Sequence, residues 1–304
     1  MSIPSAPPAS LEFVSVGRAA LPGVRRGSAY RASGLEPGVH RGLPSTTLTL
    51  IFSLDGPVVA VEDPGTCTAA RDVRTDDGPT ARAANRADLV LAGLHTAPVL
   101  LEQPAQQEGI QLELDPLAAR TLCGVRAADL VGGFDGTEVL GRAGQELWER
   151  LVESGDVPER IAHIARAFRS RIADAPTRTG EARPELAEAW RLVLASRGRL
   201  TVEELGRRVM LSPRQLRSEF TREFGIGTKS AARLARFEVA LERIARSVHT
   251  GHPPDLSGIA AESGYADQSH MTREFTRFTG TAPRRWIQEE RRNLQAGGHG
   301  TAED

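Results

Sequence analysis

A chain of 304 residues, 40% hydrophobic and 25% charged, carries enough apolar material for two packed domains, which excludes wholesale disorder. No run approaches the roughly 18 consecutive apolar residues of a membrane span, and the opening Ser2-Ile3-Pro4-Ser5-Ala6-Pro7-Pro8 lacks the charged and then apolar pattern of a secretory leader. The net charge of −1 hides an uneven split, with 21 basic against 15 acidic side chains over residues 178–292 and 17 against 22 over residues 1–177, so the basic part suits a polyanionic partner.

The first 115 residues read as short strands broken by Gly and Pro. Leu11–Val16, Thr46–Leu54, Pro57–Glu62, Asp88–His95, Pro98–Gln103 and Gly109–Leu114 are the β-like runs. The polar stretch Asp63–Arg86, with Asp76-Asp77-Gly78-Pro79, reads as a loop. Such spacing suggests a sandwich or barrel-like sheet. The alternation of Thr46–Leu54 leaves two uses open for its inward face, a ligand pocket or plain core. Helical texture begins at Asp115-Pro116 and continues at Arg142–Glu153 and Pro158–Ile172. In the last of these, Ile161, Ile164, Ala165 and Phe168 mark one apolar face. With Trp148 and Leu151 they serve either the domain's own sheet or a homodimer. Residues 1–172 thus form one domain, 173–183 a linker, 184–292 a second, all-helical domain, and 293–304 a disordered tail.

The helical domain is sharply punctuated. Pro184 opens a helix ending near Gly198. Thr201–Glu204 is a capping box, and its helix runs through Val209. Ser212–Gln215 is another, opening a helix that stops at Gly225 and buries Leu216, Phe220 and Phe224. Two short helices joined by a tight turn form a helix-turn-helix. The unit then recurs: Thr201 matches Asp255 and Leu205 matches Ile259 at an offset of 54, while Leu216, Phe220 and Gly225 match Met271, Phe275 and Gly280 at 55. An amphipathic stretch, about Thr228–Val248, joins the two units through Leu234, Phe237, Leu241 and Ile244.

On these residues, Leu200–Ile287 resembles the DNA-binding domain of the AraC/XylS family of bacterial transcription regulators. Ile259 through Pro283, with Gly264-Tyr265, Phe275, Phe278, Gly280 and Pro283, carries the most specific part of the likeness. The first unit matches from Leu211-Ser212-Pro213 through Phe220 and Gly225. The resemblance implies a β-rich, cupin-like sensor domain before a double helix-turn-helix, and a cytoplasmic transcription regulator, by family habit an activator. Its partners would be double-stranded promoter DNA, RNA polymerase, a second copy of the chain and a small-molecule effector, with no membrane. Family position implies base readers at Arg214, Arg217 and Ser218 in the first unit and at Gln268, Ser269, His270 and Arg273 in the second. Arginine can fork onto guanine O6 and N7, and glutamine can pair with adenine N6 and N7. Ser212, Thr221, Arg222, Arg277, Arg284 and Arg285 fall to phosphate contacts or to solvated surface.

Other chemistry finds little support. Gly225-Ile226-Gly227-Thr228-Lys229-Ser230 lacks the spacing of a phosphate-binding loop. His40 and His95 are isolated, so no metal site and no cofactor are expected. Cys67 and Cys123 are too few for a disulfide framework or a four-ligand zinc site, and a reducing compartment is the default. The rival class is a cupin-type small-molecule enzyme with an appended DNA-binding module. The absence of clustered metal ligands argues against it, and no catalytic residue is assigned.

Overall fold

A computed structural model describes residues 10–16, 21–61, 83–174 and 182–295. The strands of the N-terminal domain are β1 (Ser10–Ser15), β2 (Val24–Ser33), β3 (Gly38–Gly42), β4 (Leu48–Ser53), β5 (Val58–Val61), β6 (Ala83–Ala87), β7 (Leu89–Ala92), β8 (Val99–Gln103) and β9 (Gln106–Leu114). They form two antiparallel sheets, ordered β1-β2-β9-β4-β7 and β3-β8-β5-β6. The six expected strands are present; four are trimmed, β1 is shifted by one residue and β9 begins three residues earlier. β2 and β3 were not read from the sequence. Strand β6 corrects the end of the expected Asp63–Arg86 loop, whose remainder, with Cys67, lies outside the described residues.

Period-two patterning builds the core of the larger sheet. Ile110, Leu112 and Leu114 of β9 are buried, and they pair in register with Phe52, Leu50 and Leu48 of β4. Leu89 and Leu91 of β7 extend the same apolar row. This resolves the two uses of Thr46–Leu54, because its large apolar side chains are packed core. Tyr30 lies across β9 at Gly109, where a Cβ would sit 2.5 Å from the phenol oxygen. Burial there pushes the Tyr30 hydroxyl up to about 12.

After β9 the Asp115 carboxylate caps a 3-10 turn by accepting from Leu117 N at 2.9 Å. Short helical turns at Ala119–Cys123 and Ala127–Leu130 lead to α1 (Thr137–Glu153) and α2 (Val157–Asp174). Leu147, Leu151, Ile164, Ala165 and Phe168 are buried within the single chain, and Trp148 Nε1 donates to the Ser53 carbonyl at 2.7 Å. That takes up most of the apolar surface that two copies could have shared, and leaves Val152 and Ile172 exposed.

The second domain comprises α3 (Pro184–Ala195), α4 (Val202–Arg208), α5 (Pro213–Phe224), α6 (Thr228–His249), α7 (Leu256–Glu262), α8 (Gln268–Thr279) and α9 (Pro283–Gln295). Helix α2 runs two residues into the expected linker and α9 three residues into the expected tail. Residues 175–181 and 296–304 lie outside the described part.

The domains share one continuous apolar core and meet through polar contacts on three helices. Arg120 forks onto Glu223 of α5 at 2.8 and 2.7 Å. Thr46 donates from its backbone and its hydroxyl to Glu238 of α6 at 2.6 and 2.7 Å. Arg41 of β3 donates to Glu289 of α9 at 3.1 Å.

Candidate nucleic-acid interface

Local chemistry fixes both ends of each second helix. In the first unit Ser212 Oγ accepts from Gln215 N at 3.3 Å while Gln215 Oε1 accepts from Ser212 N at 3.2 Å, so the expected capping box is present before α5. In the second, Asp267 Oδ1 accepts from His270 N at 2.7 Å at the start of α8. Gly225 and Gly280 end the two helices in the left-handed region, at φ 77° and 73°. Thr201 and Glu204 close the other capping box ahead of α4.

The aromatic stripes hold these helices from behind. Trp190 of α3 stacks on Phe224 with ring centroids 4.6 Å apart and lies 5.8 Å from Phe220. In the second unit Phe237 of α6 meets Phe275 at 5.5 Å and Phe278 at 4.9 Å. Glu219 and Glu274, which share the offset of 55, each take an arginine from the preceding long helix or its start. Arg183 lies 3.7 Å from Glu219, and Arg233 bonds Glu274. The repeat is therefore structural as well as sequential.

The turns differ at one matched position. Gly264 takes φ 82° in the second unit, and its counterpart Met210 takes φ 57° with 88% of its surface exposed. A side chain in that conformation is strained.

With cores and caps assigned, the exposed faces can be read. Arg214, Arg217, Ser218, Thr221 and Arg222 are exposed on α5, and Ser269, Arg273 and Arg277 on α8. Among the described residues no carboxylate pairs with Arg214, Arg273, Arg277 or Arg284, which leaves these charges free to meet an anion. Arg217 turns back to donate to the Pro213 carbonyl at 3.1 Å, and Arg222 pairs with Glu219. Arg285 donates to Glu289 at 3.0 Å, the same carboxylate that receives Arg41. Its charge is already partly answered within the protein.

Gln268 and His270 are half-buried and turned toward protein partners. Gln268 Oε1 accepts from Ser257 Oγ at 2.8 Å. The His270 ring stands edge-on to Tyr265 at 5.3 Å, with Nε2 3.7 Å from Glu274 Oε1. Burial and the Glu274 charge push the Tyr265 hydroxyl well above its usual range. Ser257 was missed from the sequence. Ser257 belongs to α7 and carries no motif.

Among the described residues no cluster of three or more His, Cys, Asp or Glu could hold a metal ion, and no helix is long and apolar enough to cross a membrane. Cys123 is buried, which pushes its thiol up to about 12 and keeps it protonated at neutral pH.

Comparison with known proteins bears on the helical domain. No curated protein matches the chain. Among solved structures, ToxT from Vibrio cholerae is 10% identical over 91% of this chain and 98% of its own, with a TM-score of 0.47. The same protein solved with bound unsaturated fatty acid, from strain SCE256, is 10% identical over 92% and 95%, at 0.45. The C-terminal domain of AraT, a response regulator from Geobacillus stearothermophilus, is 20% identical over 41% and 95%, at 0.32. Likeness at these scores carries no argument about this chain. Residues 205–289 match a family model described as a helix-turn-helix domain, in agreement with the paired, capped helices. Residues 205–289 thus form a helix-turn-helix domain built from two capped helix pairs.

Proposed function

We propose that the chain is a sequence-specific DNA-binding transcription regulator. The observation that carries this is the pair of equivalent helices, α5 and α8, each capped at its N-terminal end and presenting exposed arginines without carboxylate partners. Arginines in the first turns of such a helix reach base edges in the major groove. Arg214, Arg217, Ser218, Gln268, Ser269 and Arg273 read bases in this proposal. Ser212, Thr221, Arg222, Arg277, Arg284 and Arg285 contact phosphate. His270 supports the helix start more than it reads.

The proposal extends to promoter DNA and RNA polymerase as partners, activation as the sign of regulation, and the cytoplasm as the compartment. The N-terminal domain senses a small molecule or pairs two copies of the chain. The central test is selection from random duplex DNA by the full-length chain. Enrichment of a motif with two segments about one helical turn apart is expected. Equal retention of all sequences would remove the proposal. The mass of the full-length chain at high concentration tests the dimer, and a monomer mass removes it.

A further inference from the structure

Helix α7, the outer helix of the second unit, hydrogen-bonds the first residue of the reading helix through Ser257. Ser257 Oγ donates to Gln268 Oε1 at 2.8 Å, and Ser257 is itself held because its N–H donates to Asp255 Oδ1 at 3.1 Å. Gln268 is the first residue of α8, where a side chain meets base edges if the helix enters the major groove. Among the described residues no acceptor takes its Nε2 amino group. A bidentate pair with adenine needs the carboxamide oxygen and amino group turned to one base edge, the first accepting from N6 and the second donating to N7. With the oxygen already accepting from Ser257, the amino group is the part of the carboxamide left free to pair.

We propose that Ser257 is a specificity-determining positioning residue: it holds the Gln268 oxygen on α7 and presents the amide as a donor, so that Gln268 reads an acceptor edge, guanine O6 and N7 or thymine O4, in place of adenine. This rests on the DNA-reading function proposed above. The pairing does not recur at the matched positions. One repeat earlier, Glu203 stands where Ser257 does and Pro213 where Gln268 does, and the neighbouring Gln215 gives its carboxamide oxygen to its own N-cap, Ser212.

The test is selection of random duplex DNA by four full-length proteins, the wild type, Ser257→Ala, Ser257→Thr and Gln268→Ala, each checked for native thermal unfolding. Gln268→Ala should make one base pair of the motif degenerate, and the wild type should prefer guanine or thymine there. Ser257→Ala should raise the share of adenine at that pair about tenfold, leaving the rest of the motif intact. Ser257→Thr, which keeps the hydroxyl, should retain the wild-type preference. An unchanged motif in Ser257→Ala overturns the proposal. So does adenine preferred there by the wild type, or a Ser257→Ala change spread over the whole motif, which would mark a merely structural role. A wild type that selects no motif removes the DNA-reading function itself. A wild-type motif with a silent Ser257→Ala leaves that function standing and removes only this inference.

Discussion

Arg273 and Arg284 are both exposed and free of carboxylates, yet truncating them should do different things. Arg273 stands one turn into α8, away from the buried Met271–Phe275–Phe278 stripe. Arg273→Ala should cost roughly 1–3 kcal/mol of binding and relax preference at one or two base pairs, as read by selection of bound sequences. Arg284, in the first turn of α9, should act on all sequences alike. Arg284→Ala is expected to flatten the salt dependence of binding by about one ion. Arg285→Ala should flatten it less, because Glu289 already answers part of that charge. A salt titration of both variants checks the ranking, and an equal loss of slope would show that Glu289 does not matter. Glu238 makes a pH prediction. Burial raises its pKa above the ordinary glutamate value of 4.5, against the lowering effect of Thr46 and Arg25. The folded chain therefore holds that proton where the unfolded chain has lost it, and stability falls as pH rises through the window from 4.5 to the raised value. Glu238→Gln should remove that fall. Thermal unfolding measured across the window, variant against wild type, is the check.

The elements divide by how openly their chemistry is written along the chain. Ser212 and Gly225 are a helix start and stop whose mechanism is local, so the boundaries of α5 were legible within a residue. Strands β2 and β3 were not. Val24–Ser33 carries three arginines and a glycine, and only Val24, Ala29 and Ala32 are buried, so its place in the sheet comes from pairing with β9 and β1. Gly38–Gly42 is an edge strand with no buried side chain and leaves no apolar signal. In the reading face, charge and exposure were legible but the partners were not. Nothing local ties Gln268 to Ser257 eleven residues earlier, or Arg285 to a carboxylate shared with β3. At the level of the turn, Met210→Gly should stabilise the protein by up to about 1 kcal/mol by relieving the left-handed strain, and thermal unfolding would show it. Ser212→Ala should cost about 1 kcal/mol by removing the cap. A Met210→Gly variant that melts lower than wild type would mean that the exposed methionine makes a contact worth more than the strain.

Across the whole molecule, the joint between domains rests on few groups, and one pair sets a half-buried arginine on a buried carboxylate. Arg120 and Glu223 keep 19% and 8% of their side-chain surface exposed. Glu223 lies in the last turn of α5, where an acidic charge opposes the helix dipole, so Arg120 answers both burial and dipole. Arg120→Ala strands that carboxylate and should cost about 3–5 kcal/mol. Replacing both by apolar residues of similar volume should recover most of the loss. A double variant as unstable as the single one would show that the pair matters for more than the stranded charge. The two helix-ending glycines extend the consequence. A Cβ on Gly225 would collide with Val131 at 2.3 Å, and one on Gly280 would touch Pro98 Cγ at 3.5 Å. Each reading helix thus points one end outward and rests the other, about 18 Å behind, on the N-terminal domain. Two levers with their heels on one plate cannot turn independently, so whatever tilts that plate must be felt at both tips at once. Reciprocity then requires that a duplex gripping both tips press back on the plate with the same free energy.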